Sequence, residues 1–435
     1  MPNIALLHLR CPLSMANRSR LLLVLLLVLF PLCALRGQPL SNWALPDIKS
    51  VQCYRAGNTL NTPIVRLHSN DALVLEFDNL SDDHYDLDYT IIHCTPNWEP
   101  TPIPYHDFAT GFDHNALVNA RNSQATTLLY THHTLTLPND DAGWRLSGNY
   151  ILRVVDRYDH GRIVLQRRFM VLDQQIAPEA QVLQPSHGSQ RNAGQRLSIE
   201  LPYAKLGHSV DPFTNLQVHI TQNGQFYNAK TNIRPVFVAS GRASYSAPDS
   251  LIFEGGNEYR NLVYRSQNYR SQQIAQTRRM GGELHIALAP DEPHLHPAYA
   301  EHSDINGQFA LLCDDCHEAA HEGQYAWFYF TAPIVELPHS DVYLYLGEVD
   351  GGNINPHNRL RYSEIDQAYE TRLLLKQGIY NYRYLSVDRA TGRISPLPFE
   401  GSHFATENVY RVYIYHQPLG ERYWQLVGFE ELRSR

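Results

Sequence analysis

Lysine is almost missing from this chain: Lys49, Lys205, Lys230 and Lys376 are the four lysines among 435 residues. No run of Lys and Arg builds a basic stripe either. A nucleic-acid binder replaces phosphate counterions with such a stripe, so nucleic acid is excluded as a partner. The whole chain carries 36 basic and 44 acidic residues, a net charge of −8. Residues 1–37 hold Arg10, Arg18, Arg20 and Arg36 and no acid, so the remainder has 32 basic residues and a net charge of −12. Also missing are apolar residues at i, i+3, i+4 and i+7 kept up over several turns, which argues against long amphipathic helices. There is no G-x-S-x-G elbow, no P-loop and no G-x-G-x-x-G after a strand. Nucleophilic hydrolysis and nucleotide chemistry therefore find no support, and neither an enzymatic activity nor a cofactor is expected.

One long apolar run does occur. Leu21 to Phe30 reads LLLVLLLVLF, behind Arg18 and Arg20 and ahead of Pro31, Cys33, Ala34 and Gly37. Basic, then apolar, then small residues is the layout of a secretory signal, and ten residues are too few to span a bilayer. Met15 gives a more compact leader than Met1, and cleavage before Leu35 or Gln38 suits the small residues there. A lipoprotein reading of Cys33 is opposed by Leu32, where a small residue belongs. Residues 1–37 are thus expected as a signal peptide, with the mature chain exported and no later transmembrane helix. In an oxidising compartment Cys53–Cys94 and Cys313–Cys316 are both allowable disulfides, and spacing does not choose between bridged and free thiols.

What is present is strand periodicity. Ala72–Phe77, Tyr150–Val155, Arg168–Leu172, Leu216–Ile220, Tyr325–Phe330 and Tyr410–Tyr415 are short, rich in β-branched or aromatic residues, and often alternate with polar ones. Asn223-Gly224, Asn306-Gly307, Gly351-Gly352 and Pro138-Asn139-Asp140 punctuate them as turns. The fold class is all-β, with about three domains for this length. Breaks near Gln174–Glu179 and Pro333–Ser340 divide it into an Ig-like sandwich at 38–175, a less regular β-rich middle unit at 176–336, and an early-set Ig-like domain at 338–435.

Residues 313–321 contain two motifs that promise chemistry. Cys313-Asp314-Asp315-Cys316-His317 has the C-x-x-C-H spacing of a haem attachment site, but Asp314, Asp315, Glu318 and Glu322 offer no apolar pocket for a porphyrin. His317-Glu318-Ala319-Ala320-His321 has the H-E-x-x-H spacing of a zinc protease, which requires a helix of several turns and a third ligand. The space between Leu312 and Tyr325 admits about two turns, and Glu336 is a third ligand only by position. His294, His296 and His302 widen the set to a transition-metal clamp with Cys313, Cys316, His317 and His321, yet 22 histidines make such clustering ordinary. A polar loop with no metal is the expectation.

Several strings then occur together. Phe77-Asp78-Asn79-Leu80, Tyr89 to Cys94 with Asn97-Trp98, Leu146 to Tyr150 and Arg167 to Met170 come first; Gln222-Asn223-Gly224, Gly255 to Arg260, Asp304 to Gly307, Leu375 to Tyr382, Gly401 to His403 and Thr406 to Asn408 follow in order. Over nearly the whole mature chain the sequence resembles the plug protein family of the type IX secretion system of Bacteroidetes. The resemblance implies a periplasmic, non-enzymatic protein at the inner face of the outer membrane. Its partner would be the giant translocon barrel, whose periplasmic opening it closes when no cargo is in transit, and it would touch the membrane only through that barrel. Residues 313–323 depart from the family pattern. Read physically, the strings are mostly architectural, with Gly148 in a turn of positive φ, Trp98 and Phe169 in cores, and Tyr380, Tyr382 and Tyr384 on one strand face. Tyr259, Arg260, Tyr264, Arg265, Tyr269 and Arg270 are the nominated docking face, because Tyr and Arg are enriched at interface hot spots. The alternative is a carbohydrate-binding sandwich, since Val342 to Gly347 and the Tyr380–Tyr384 strand also look like glucan-binding early-set domains; against it, 348–360 lacks a Trp for sugar stacking.

Overall fold

A computed structural model describes residues 40–435 apart from 82–84, 160, 187, 189, 247–250 and 269–270. The expected signal segment, 1–37, lies outside the described residues. No helix among the described residues is long and apolar enough to cross a membrane.

The first sandwich faces two sheets. One orders Ile48–Arg55, Leu73–Asn79, Thr131–Leu137 and Ala120–Asn122; the other centres on Leu87–Cys94, Gly148–Asp156 and Ile163–Leu172. Alternation sets the core, because successive side chains of a strand point to opposite faces. Leu73, Leu75 and Phe77 meet Tyr150, Leu152 and Val154 between the sheets. The intervening Ile151 does not reach solvent. With Cys94, Trp98 and Met170 it lies under Tyr413, Tyr415 and Leu426 of the C-terminal hairpin, so this sheet is covered on both faces. That double burial is why Tyr150–Val155 reads as an apolar run interrupted at Arg153 alone.

Pleat parity also decides the cysteines. Cys53 points into the inter-sheet core with Leu75, whereas Cys94 points to the other face of its sheet with Ile151 and Met170. Both are free thiols, so the considered Cys53–Cys94 disulfide is corrected. Burial pushes each thiol up to about 12. The disulfide present joins Cys313 and Cys316.

A second sandwich faces a sheet of Gln225–Ile233, Leu216–Gln222, Val409–His416 and Gln425–Arg433 against one built on Glu179–Leu183, Gly194–Pro202 and Arg242–Ser244. Leu197, Ile199 and Leu201 meet Val218, Ile220, Val412 and Ile414 in its core. Asn223 and Gly224 both take positive φ (50° and 69°), the two-residue turn that matches strand twist in a tight hairpin.

Between Ile252–Glu254 and Val409–His416 the chain builds a third sandwich. One sheet orders Ile274–Met280, Glu283–Leu288, Tyr325–Ala332, Ala368–Lys376 and Arg361–Ser363, with the second and third parallel; the other is organised on the long strand Gly378–Asp388. Tyr380, Tyr382 and Tyr384 all face its core. The expected division at Pro333–Ser340 is corrected by these pairings. It would cut the third sandwich between Tyr325–Ala332 and Ser340–Tyr345, and it would part Leu216–Gln222 from its partner Val409–His416. The third sandwich is nested within the second, and tandem order holds between the first and second alone.

Candidate functional site at the sandwich junctions

Asp78 shows how the sandwiches are joined. Phe77 points into the first core, so Asp78 points out of it, yet Asp78 is fully buried because the third sandwich covers that face. Across the ladder from Asp78 stands His132, with Nδ1 2.7 Å from Asp78 Oδ1. From the third sandwich, Lys376 Nζ donates to Asp78 Oδ2 at 2.7 Å and to the Ala320 carbonyl at 2.7 Å. The Tyr325 hydroxyl donates to the same carboxylate oxygen at 2.6 Å and accepts from Ser50 at 2.7 Å. The Lys376 ammonium also lies 4.1 Å from the Tyr130 ring centroid, a cation–π contact. Burial lowers the pKa of Lys376, with Asp78 opposing. Burial likewise opposes charge on His132, but its hydrogen bonds to Asp78 and Glu76 win and raise its pKa. The constellation is an ionic latch between two sandwiches, with Asp78 and Lys376 both fully buried.

Arg260 forms a second buried centre. Its Nε lies 3.1 Å from both oxygens of Glu400, and its guanidinium also reaches the Glu292 carbonyl at 2.8 Å and Asp291 at 3.5 Å. Asp291 in turn accepts from Tyr384 at 2.6 Å and Tyr382 at 3.0 Å. These contacts correct the nominated docking face. Tyr259, Arg260 and Tyr264 are 1%, 6% and 2% exposed, so they are interior groups. Tyr259 packs with Tyr345 and Leu385 beneath the Arg383 guanidinium, and Tyr264 packs edge-on to Phe328. Arg265 is exposed but pairs with Asp314 at 2.5 Å, while Tyr269 and Arg270 lie outside the described residues.

Residues 313–323 form a capped loop. The helix there is the single turn Ala319–Glu322, so His317 precedes it, and the His317 N–H donates to Glu322 at 2.8 Å. H-E-x-x-H geometry, with both imidazoles on one helix face, is not formed. Both sulfurs of the C-x-x-C-H string are taken by the disulfide. His321 is buried against His132, ring centroids 4.9 Å apart, and His294 sits 3.6 Å from Glu400. His296 is exposed. Among the described residues, no group of three His, Cys, Asp or Glu converges as a metal site.

The three sandwiches also leave a cleft of about 590 Å³ between Arg55 and Arg66 of the first, Arg411, Phe429 and Glu431 of the second, and Asp304 and Asn306 of the third. Thr62, Asn223, Gln308 and Arg411 line both this cleft and an inner cavity of about 100 Å³, which reaches Arg167 and Glu348. Desolvation raises Glu348 to about 7 and lowers Arg167 to about 10. Sequence reasoning missed Asp78, His132 and Lys376, although one signal was available: Lys376 is one of four lysines and ends the apolar run Leu373-Leu374-Leu375. Nothing in the sequence pointed to Arg55, and Asn306 stood out as a turn residue before Gly307.

Residues 48–173 match the family model described as the type 9 secretion system plug protein 1st domain. A crystal structure of a hypothetical protein from Parabacteroides merdae is 27% identical, with a TM-score of 0.87 over 91% of this chain and 99% of its own. The nested arrangement, and not the first sandwich alone, thus has a counterpart there. A trypsin-activated alpha-2-macroglobulin from Escherichia coli is 10% identical over 90% of this chain and 24% of its own; its TM-score of 0.17 carries no argument. No curated protein matches the chain.

Proposed function

We propose, from the match of residues 48–173 to the first domain of the type IX secretion system plug protein, that this chain docks on the periplasmic opening of the giant outer-membrane barrel and seals it between cargoes. The observation that carries the reading is the match over residues 48–173, which is to a secretion component and not to an enzyme family. The architecture is compatible with it. A stopper for a pore wide enough for folded cargo has to resist deformation, and buried ionic contacts such as Asp78–Lys376 join its sandwiches across their junctions. Occlusion over a broad surface also needs no catalytic group. The reading places the mature chain in the periplasm, held at the outer membrane by the barrel.

The test is affinity purification of a tagged copy from detergent-solubilised envelopes, with co-purifying proteins identified by mass spectrometry. A very large outer-membrane barrel in near-stoichiometric amount is expected. Cells lacking the chain should also admit large antibiotics that the outer membrane excludes. Recovery of the protein free of any barrel, with unchanged permeability, would overturn the reading.

A further inference from the structure

On the third sandwich, Ile274–Met280 leaves a sheet edge open. It is the first strand of its five-stranded sheet and pairs on one side alone, with Glu283–Leu288. It runs for seven residues, and Ala275, Gln276, Arg278, Arg279 and Met280 are all exposed. Gly281 and Gly282 take φ of 60° and 92°, the two-residue turn that makes Met280 and Glu283 a hydrogen-bonded pair. Bonded and non-bonded pairs alternate from there, so Arg278 and His285 are bonded while Thr277 and Arg279 turn their N–H and C=O to the open side. Among the described residues no other segment bonds to those outward groups.

The edge is also charged. Arg278 lies against the Gln276 carboxamide, Arg279 Nη2 donates to Gln267 Oε1 at 2.8 Å, and neither arginine is in an ion pair among the described residues. As neighbours in a strand they stand on opposite faces of the sheet, so a strand laid alongside meets both with two successive side chains. A second copy paired across these residues would set arginine against arginine, and like charges placed opposite each other destabilise a sheet. An acidic strand meets the opposite situation. We propose that Ile274–Met280 takes an extended acidic segment of another polypeptide as an added strand, bonded to the backbone of Thr277 and Arg279 and bringing carboxylates to Arg278 and Arg279. Main-chain bonds supply the affinity in such strand addition, and side chains choose the partner. The proposal does not rest on barrel docking, because the edge is open in this chain alone.

The test follows, by fluorescence anisotropy, a labelled heptapeptide of Val and Thr with two successive Glu at its centre, added to the mature full-length protein. This peptide should bind, and the same peptide with Lys in place of Glu should not. Two further versions carry N-methyl groups on alternate residues, which keeps the charge and removes backbone donors from one side of the strand. The version whose methyl groups face the edge should bind about tenfold more weakly than the other. The variant Arg278→Gln, Arg279→Gln should also weaken the Glu peptide about tenfold. Thr277→Pro removes an outward N–H and leaves the bonded pairs of the ladder in place, and a similar loss is expected. Arg361→Gln, on the opposite edge strand Arg361–Ser363, should leave binding unchanged. No binding of the Glu peptide would overturn the proposal, as would equal binding of the Lys peptide, equal binding of the two N-methylated peptides, or an equal loss in Arg361→Gln. Self-association of the protein that is lost in Thr277→Pro, with no peptide bound, would give the edge to a second copy and likewise overturn it.

Discussion

Lys376 carries more of the architecture than any pattern around it suggests. Both it and Asp78 are fully buried, and removing one partner strands the other charge in a low-dielectric junction. Lys376→Met is expected to lower stability by about 3–5 kcal/mol in denaturant unfolding, and the double variant with Asp78→Asn to restore much of that loss. A double variant destabilised by the sum of the separate Lys376→Met and Asp78→Asn losses would show that the pair is not coupled. Two other buried groups contribute to the loss of stability in acid. Burial lowers His93 and His219 from 6.5 to about 4, so both stay neutral in the folded protein at neutral pH. A lowered histidine pKa means that the unfolded chain binds more protons below about 6.5, so stability falls as pH drops from there and the full penalty is reached below about 4. The expected loss is up to about 3 kcal/mol for each site. The combined variant His93→Gln, His219→Gln should flatten that slope when unfolding is followed by intrinsic fluorescence between pH 7 and pH 4.

The 313–323 loop makes the point for elements. Two motif spacings meet there, but a motif acts through the structure that presents it, and one helical turn capped by a disulfide presents neither a haem site nor a zinc site. The bridge closes a loop of few residues, so chain entropy accounts for about 2 kcal/mol at most. The Cys313→Ser, Cys316→Ser variant should therefore fold and lose about that much stability in denaturant unfolding. Thiol counting checks the cysteine assignment independently. The native mature chain should label at no cysteine with maleimide and, after mild reduction, at Cys313 and Cys316. Cys53 and Cys94 should label after denaturation, because burial keeps them protonated and covered. Labelling of Cys53 in the native protein would contradict the packing of the first core.

Nesting has consequences for the whole molecule. The Val409–His416 strand belongs to a sheet whose other members begin at residue 216, and the third sandwich is completed on both sides of Pro333–Ser340. A fragment of residues 338–435 should consequently fail to unfold cooperatively, its strands having lost their ladder partners. Residues 176–435 should retain a cooperative transition by circular dichroism. Two independent transitions from fragments 176–336 and 338–435 would overturn the nested order. The first sandwich is tied to this body through Tyr415, which donates to Asn149 at 2.8 Å, and through the latch at Asp78. Movement between the sandwiches is therefore expected at the open cleft near Arg55 before either of those buried contacts.

The strand class was legible from the residues alone. Period-two alternation of β-branched and aromatic residues is a local property of the pleat, so the all-β fold, the aromatic face of Tyr380, Tyr382 and Tyr384, and the turn at Asn223-Gly224 follow from short stretches. The resemblance carried by Phe77 to Leu80 and Leu375 to Tyr382 named a family without saying that Asp78 of one string is hydrogen-bonded to Lys376 of the other. Tertiary structure decided which strands share a sheet, which face of each is covered, and hence that Tyr259, Arg260 and Tyr264 are interior. The physical reason is range. Alternation is set between neighbours in the chain, whereas strand partnership and the fate of a charge are settled by surfaces that meet only after hundreds of residues have folded together.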